Sequence, residues 1–198
     1  LQTLGLGSVI DIFRNGRLPA DAGDLVDQVF GGPGERGSLV ISGANGIVGA
    51  GKMIQLTARL EPFGVRSIGL SRPRTADGIG PHYPGLVAAV GKARADRVMA
   101  NMIRMIYDGT SLPADLAKWR PRFLLEAIPE ILDIKKAHYR LFQEAFPEIE
   151  IRSVTSGFPS SELGVGVAHP AFPHESNKVW EVVGQENSRI PQLLWALG

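Results

Sequence analysis

The chain has 198 residues, of which 44% are hydrophobic, so it contains enough apolar material for the core of one ordinary domain. The 21 Lys and Arg residues balance the 20 Asp and Glu residues, and the formal net charge of +1 argues against a protein that coats nucleic acid. The absence of cysteine excludes a disulfide scaffold, a cysteine-ligated metal centre and a thiol nucleophile.

No apolar run approaches the roughly 18–20 residues of a membrane span, and no basic and apolar leader follows Leu1. We therefore expect a cytoplasmic protein that binds neither membrane nor nucleic acid, with a numbering that begins inside a longer or processed chain. None of the four histidines has the HxxxH or HExxH spacing of a metal site, so we expect no metal. Glycine is enriched, because its 24 residues exceed the typical share of about 7%.

Residues 1–36 predict a helical arm or linker that precedes the main domain, because two short apolar clusters there end in the Gly- and Pro-rich run at 31–37. From residue 37 onward, apolar runs alternate with helix-like patterns. The predicted strands lie at 39–42, 65–70, 123–128, 149–154, 165–168 and 179–183, and the predicted helices at 47–60, 85–107, 129–146 and 188–197. Alternating β and α units predict a doubly wound, mostly parallel α/β sheet over residues 37–198.

Three glycines lie between the first predicted strand and the first predicted helix. Glycine there allows a tight turn, a close approach of the backbone to a pyrophosphate, and close packing of the helix on the strand. The anion would lie at the positive end of the helix, facing backbone N–H groups. This pattern predicts a dinucleotide-binding, Rossmann-type domain; a tight turn in another kind of α/β protein is the alternative. The candidate cofactor-binding residues of this loop are Gly43, Ala44, Asn45, Gly46, Ile47, Val48 and Gly49.

The residues after the second predicted strand bear on the kind of dinucleotide. NAD sites usually place an acidic residue there to bind the ribose 2′-hydroxyl. This chain instead has Ser71, Arg72 and Arg74, with no carboxylate before Asp77. A hydroxyl and guanidinium groups would suit the 2′-phosphate of NADP. We assign Ser71 and Arg72 to a site for NAD or NADP, with NADP favoured; the alternative is that the arginines are solvated loop charges.

The second half carries four motifs near the ends of its predicted elements. The sequence reads L-E-A-I-P-E at 125–130, S-V-T-S-G at 153–157, H-P-A-F-P at 169–173 and K-V-W-E at 178–181. In this order the motifs resemble the NAD-binding domain of the 3-hydroxyacyl-CoA dehydrogenase family. That family has a V-E-A-hydrophobic-x-E helix start, an S-N-T-S-S turn, a G-x-H-F-F-N-P motif and a K-x-x-E strand. The resemblance covers roughly residues 38–198.

The resemblance implies hydride transfer between a nicotinamide cofactor and a 3-hydroxyacyl-CoA-like substrate, in fatty acid metabolism. It implies that His169 is the general base for the substrate 3-hydroxyl, that Glu181 holds and polarises the imidazole, and that Ser156 hydrogen-bonds the reacting oxygen. It also implies a homo-oligomer or a companion helical domain, because the family continues with a helical C-terminal domain that we do not expect within residues 37–198. The residues that it assigns to the cofactor side are Ala127, Ile128, Glu130 and Lys135.

Two other functions remain open from the sequence. The loop reads G-x-x-G-x-x-G rather than the family's G-x-G-x-x-G, and the acidic ribose-binding residue is absent. These differences leave room for an NADP-dependent reductase of another substrate class, or for a non-catalytic nucleotide-binding module. A short-chain dehydrogenase is disfavoured, because the sequence contains no Tyr-x-x-x-Lys pair.

Overall fold

The computed structural model describes residues 22–170, 180–183 and 188–197. The strands of this part of the chain are β1 (Ser38–Ser42), β2 (Arg66–Ser71), β3 (Met102–Ile106), β4 (Pro121–Glu126), β5 (Glu150–Ser153), β6 (Gly166–Pro170) and β7 (Trp180–Val183). Its α-helices are α1 (Ala22–Phe30), α2 (Ile47–Leu60), α3 (Tyr83–Val90), α4 (Lys92–Ala100), α5 (Leu132–Ala145), α6 (Ser160–Leu163) and α7 (Ile190–Leu197). Short 3-10 helices lie at Glu61–Phe63, Gly80–His82 and Leu116–Trp119.

The seven described strands form one sheet in the order β3-β2-β1-β4-β5-β6-β7. The first six strands in this order run parallel, and β7 pairs antiparallel with β6. This order of parallel strands is the one found in dinucleotide-binding folds built from two βαβαβ halves. The predicted doubly wound, mostly parallel Rossmann-type sheet is therefore confirmed.

Both faces of the sheet are covered, which explains the continuous apolar run of β1. Leu39 and Ile41 belong to one hydrophobic cluster, and Val40 belongs to another on the opposite face. Helix α1 contacts α7 and β4, and its Leu25 is buried in the first cluster. The predicted division into an arm at 1–36 and a domain at 37–198 stays a prediction, and residues 1–21 of that arm lie outside the described residues.

The prediction of one long helix over 85–107 is wrong. Two shorter helices occupy its first part, because Gly91 between α3 and α4 adopts a φ of +79°, which ends the first helix. The rest is the edge strand β3. Val98, Met102 and Met105 are spaced like the apolar face of a helix. The last two lie in a half-exposed edge strand, whose apolar residues need not follow the pattern of a buried strand.

Two other predicted boundaries also move. Pro129 does not begin a helix, because α5 begins at Leu132 and the residues before it form a connection along the sheet edge. Strand β4 ends at Glu126, two residues earlier than predicted, and the Ile128 N–H donates to the Glu126 carboxylate instead of to a neighbouring strand. Within the described ranges, no helix is long and apolar enough to cross a membrane.

Candidate functional site

A cleft of about 500 Å³ lies at the carboxyl ends of the central parallel strands. Its walls come from the residues that follow β1, β2, β3 and β4, so it lies where the strand order reverses between β1 and β4. This is the position at which open α/β sheets bind ligands. The predicted cofactor residues that line the cleft are Gly43, Asn45, Gly46, Ile47, Val48, Ser71, Arg72, Ala127, Ile128, Glu130 and Lys135.

The glycine loop after β1 is fixed by contacts between backbone atoms. Gly43 has a φ of +77°, and a Cβ there would collide with the carbonyl oxygen of Ala127. A Cβ at Gly49 would collide with the carbonyl oxygen of Gly43. The Gly46 N–H donates to that same carbonyl at 2.8 Å. The loop therefore needs glycine at positions 43 and 49, where the backbone segments approach most closely.

The amino terminus of α2 opens directly into the cleft. Gly46 precedes the helix without a side-chain cap, and the first turn contains no acidic residue. The first N–H groups of a helix have no partner within the helix and attract anions. Ile47 is 96% exposed, so nothing in the described chain covers this end. Asn45 Oδ1 is buried without a hydrogen-bond partner among the described residues, which a bound polar ligand could supply.

The residues at the end of β2 and in the connection after it form a second wall of the cleft. Ser71, Arg72 and Thr75 line the cleft, and the Thr75 hydroxyl donates to the Arg72 carbonyl at 2.9 Å. Arg74 is exposed and is not part of the cleft lining. Asp77 also lies outside the lining, and its carboxylate forms an ion pair with Arg104 at 2.9 Å.

A buried histidine links the cleft wall to the base of the glycine loop. His138 Nδ1 lies 2.9 Å from the Tyr107 hydroxyl oxygen, and its Nε2 lies 2.9 Å from Ser42 Oγ. Burial, with the Lys135 ammonium as a smaller cause, lowers the pKa of His138 to about 4. The imidazole is therefore neutral at pH 7, and either tautomer can be satisfied because both neighbours are hydroxyls.

A buried carboxylate, Glu126, lies at the end of β4 and binds several of the groups around that end of the cleft. Glu126 is 0% exposed, and its Oε1 accepts from the Lys135 ammonium and from the Ile128 N–H, both at 2.7 Å. Its Oε2 accepts from the Ser153 hydroxyl at 2.7 Å and from the Tyr139 hydroxyl. Burial, and then the Glu126 charge, raise the pKa of the Tyr139 hydroxyl, which therefore remains a proton donor. The carboxylate is thus fully satisfied inside the fold.

A second carboxylate extends this network toward solvent. Glu130 Oε2 lies 3.7 Å from the Lys135 Nζ and accepts from the Thr155 hydroxyl at 2.8 Å. The Thr155 oxygen in turn accepts from the Gly157 N–H at 3.1 Å, which shapes the turn after β5. Ser156 is exposed in this turn, beside the cleft rather than in its lining. Lys135 is therefore shared by two carboxylates at the edge of the sheet.

His169 and Glu181 lie on neighbouring strands. His169 is in β6, Glu181 is in β7, and the register of the antiparallel pair places their Cα atoms directly opposite one another. Ser156 follows β5, which pairs with β6 on its other side. The described part of the chain contains no group of three or more His, Asp and Glu residues that could hold a metal ion.

Two predicted loop residues and several unpredicted residues complete the site. Ala44 is buried below the loop, and Gly49, which belongs to α2, packs against the Gly43 carbonyl. Neither residue lines the cleft. Three further cleft residues were not predicted from the sequence: Thr75, Tyr107 and His138. His138 is three residues after Lys135, a spacing that puts both on one helix face and could have indicated it. Tyr107 carried no such signal, because it follows the strand that was predicted as helix.

No protein-family model matches the sequence, and no curated protein matches it. Solved structures do match its fold. A 3-hydroxybutyryl-CoA dehydrogenase from Escherichia coli aligns over 80% of this chain and 36% of its own, with a TM-score of 0.62 and 20% sequence identity. The (S)-3-hydroxybutyryl-CoA dehydrogenase from Ralstonia eutropha aligns over 81% of this chain and 60% of its own, with a TM-score of 0.65 and 15% identity.

The chain has the fold of these dehydrogenases. The structure of FadB2 from Mycobacterium tuberculosis also aligns with this chain, with a TM-score of 0.52 and 18% identity over 66% of this chain and 48% of its own. The resemblance to the 3-hydroxyacyl-CoA dehydrogenase family, predicted from the motifs, is thereby confirmed at the level of the fold. The chain spans less than two thirds of the length of each of these structures.

Proposed function

We propose that this chain is the nicotinamide-dinucleotide-binding domain of a dehydrogenase, with NAD or NADP as its cofactor. The observation that carries the proposal is the glycine loop between β1 and α2, at the point where the strand order reverses. Gly43 and Gly49 lie so close to neighbouring backbone carbonyl oxygens that neither position has room for a Cβ. Open N–H groups at the start of α2 face the same cleft, and such groups suit a pyrophosphate.

The cleft offers different chemistry to the two ends of a dinucleotide. Ser71 and Arg72 would contact the adenosine half, while Ile128, Glu130 and Lys135 would contact the nicotinamide half. When bound, the cofactor supplies a nicotinamide ring that accepts or returns a hydride. The charged network at the end of β4 would hold that half in place, because its side chains are already tied to the fold.

The proposed substrate is a 3-hydroxyacyl-CoA-like compound. His169 would take the proton of the 3-hydroxyl as a hydride passes from C3 to the nicotinamide ring, Glu181 would hold the imidazole, and Ser156 would hydrogen-bond the reacting oxygen. The register of β6 and β7 supports the pairing of the histidine with the glutamate, because residues directly opposite each other are cross-strand neighbours. The similar folds of two 3-hydroxybutyryl-CoA dehydrogenases support the substrate class.

Cofactor binding is tested first, by titrating the full-length protein with NADH and NADPH and following nicotinamide fluorescence. We expect saturable binding of at least one dinucleotide, and competition by the matching oxidised form. Gly49→Ala should weaken that binding, because its Cβ displaces the Gly43 carbonyl and with it the loop. Failure of both dinucleotides to bind the folded wild-type protein would refute the proposal.

Catalysis is tested separately, with 3-hydroxybutyryl-CoA and the dinucleotide that binds. We expect His169→Ala to lower kcat about 10²–10⁴-fold, the usual contribution of a general base, without a change in dinucleotide affinity. His174→Ala is the matched control, because that histidine has no proposed role. Dinucleotide binding without His169-dependent turnover would assign the chain to a non-catalytic module or to a reductase of another substrate class.

A further inference from the structure

Among the described residues, no carboxylate lines the adenosine end of the cleft, where it could accept from a ribose hydroxyl. The connection at 71–80 contains one acidic residue, Asp77, whose Oδ1 accepts from the N–H groups of Ile79 at 3.0 Å and Gly80 at 3.2 Å. The same oxygen pairs with the Arg104 guanidinium of β3 at 2.9 Å. The Gly80 amide is the largest cause that lowers the pKa of Asp77; burial opposes it, and the Arg104 guanidinium and the Ile79 amide lower the pKa further. Asp77 is therefore committed to the loop itself.

The other acidic residue near this end is equally committed. Asp108 follows β3, and its Oδ1 accepts from the Thr110 N–H and hydroxyl, both at 2.8 Å, and from the Ser111 N–H at 3.3 Å. Asp108 does not line the cleft. Both carboxylates close to the end of β2 thus serve turns, and neither is placed to accept a hydrogen bond from a 2′-hydroxyl.

A cation and two hydroxyls occupy the place where such a carboxylate would act. Ser71, Arg72 and Thr75 line the cleft together, because the Thr75 hydroxyl folds the connection back on the Arg72 carbonyl. None of the ion pairs in the described part of the chain uses Arg72. Its charge acts on the Tyr107 hydroxyl, which lines the same wall: burial and Asp108 raise the pKa of Tyr107, and Arg72 opposes them.

We propose that Arg72, with Ser71 beside it, selects the 2′-phosphate of NADP over the 2′-hydroxyl of NAD. This inference rests on the proposed function, because it specifies the cofactor of the same cleft. A guanidinium binds phosphate oxygens through two parallel N–H donors, and a serine hydroxyl can add a third. A 2′-hydroxyl is uncharged and has a single oxygen, so it cannot satisfy these donors together.

Equilibrium binding to the full-length protein tests the inference without any turnover. NADPH and NADH are titrated in parallel, and 2′,5′-ADP is compared with 5′-AMP as a competitor that lacks the nicotinamide half. We expect NADPH to bind about tenfold to 100-fold more tightly than NADH, and 2′,5′-ADP to compete better than 5′-AMP. The preference should shrink as salt is raised, because it depends on charge.

Two arginines of the same connection provide a matched pair of variants. Arg72→Gln should remove most of the preference, because it should weaken NADPH binding far more than NADH binding, and Arg72→Lys should retain part of the preference. Arg74→Gln removes an equal charge outside the cleft and should leave both affinities unchanged. Circular dichroism is the control measurement that checks whether each variant is folded.

The outcomes separate the inference from the proposed function. Equal binding of both dinucleotides, or tighter binding of NADH, would overturn the selection of the 2′-phosphate and leave a nicotinamide site intact. A preference that Arg72→Gln does not reduce would overturn the role of Arg72. Failure to bind either dinucleotide would overturn the proposed function itself.

Discussion

The two ends of the cleft are built in different ways. At the glycine loop, the shape is set by backbone atoms, with Gly43 packed against the Ala127 carbonyl and Gly49 against Gly43. At the end of β4, the shape is set by side chains, with Glu126 and Lys135 buried as an ion pair. The first end offers N–H groups that any phosphate could use, whereas the second offers a fixed pattern of charge.

This difference predicts two kinds of sensitivity to mutation. At the loop, added volume should be damaging whatever its chemistry, because the obstacle is a carbonyl oxygen that belongs to the backbone. At the network, a change of charge should be damaging even when the volume is kept, because an uncompensated buried charge is costly.

Glu126→Gln keeps the volume and removes the buried one of the two carboxylates that lie near the Lys135 ammonium. We expect the free energy of unfolding to fall by about 3–5 kcal/mol, as when one partner of a buried ion pair is removed. Chemical denaturation measures the change. Glu148→Gln is the control, because its ion pair with Arg122 lies at the surface and should contribute less than about 1 kcal/mol.

The double variant Glu126→Gln with Lys135→Met sharpens this prediction. It removes both charges, so we expect it to recover much of the stability that Glu126→Gln loses. If the double variant is no more stable than the single variant, the loss arises from the hydrogen bonds of Tyr139 and Ser153 rather than from charge. The network would then be a hydrogen-bond cluster more than an ion pair.

His138 lies between the two ends and makes stability depend on pH. Its pKa is about 4 in the folded protein and about 6.5 in the unfolded chain, so the unfolded state binds more protons between these values. Stability is therefore present above pH 6.5 and is lost as the pH falls toward 4, by about 3 kcal/mol in total.

The measurement is chemical denaturation at pH 7 and pH 4.5, with variants that isolate this histidine. His138→Gln should show a smaller loss between the two pH values than the wild-type protein. His82→Gln, at an exposed position, should behave like the wild type. Equal pH dependence in all three proteins would show that His138 is not held neutral by burial.

Gly43→Ala tests the backbone end and should have the smallest effect of the three. We expect a loss of about 1–3 kcal/mol, because alanine is strained at a φ of +77° and its Cβ meets the Ala127 carbonyl. Gly51→Ala is the matched control within α2, where a Cβ meets nothing within 4 Å, and it should add about 0.5–1 kcal/mol. A neutral Gly43→Ala variant would mean that the loop can shift, and that backbone contacts do not set its shape.

The sequence predicted the glycine loop better than the charged network at the end of β4. The loop glycines are a local signal, since each is needed by a turn or a close approach within a few residues. Lys135 and Glu130 were assigned to the cofactor side only through a resemblance. The buried ion pair between Lys135 and Glu126 was not predicted. The prediction of one helix over 85–107 was wrong because the spacing of apolar residues in a half-exposed edge strand can resemble that of a helix.

By itself, the sequence determined the alternation of strands and helices and the position of the glycine loop, because both depend on periodicity and on backbone freedom over short stretches. Only the tertiary structure decided which polar side chains meet. Ser42, Tyr107 and His138 are far apart in the chain and come together because β1 lies between β2 and β4 in the sheet. Likewise, Asp77 forms an ion pair with Arg104 because β3 lies beside β2 in the sheet. Such partners follow from strand order, which local sequence patterns do not encode.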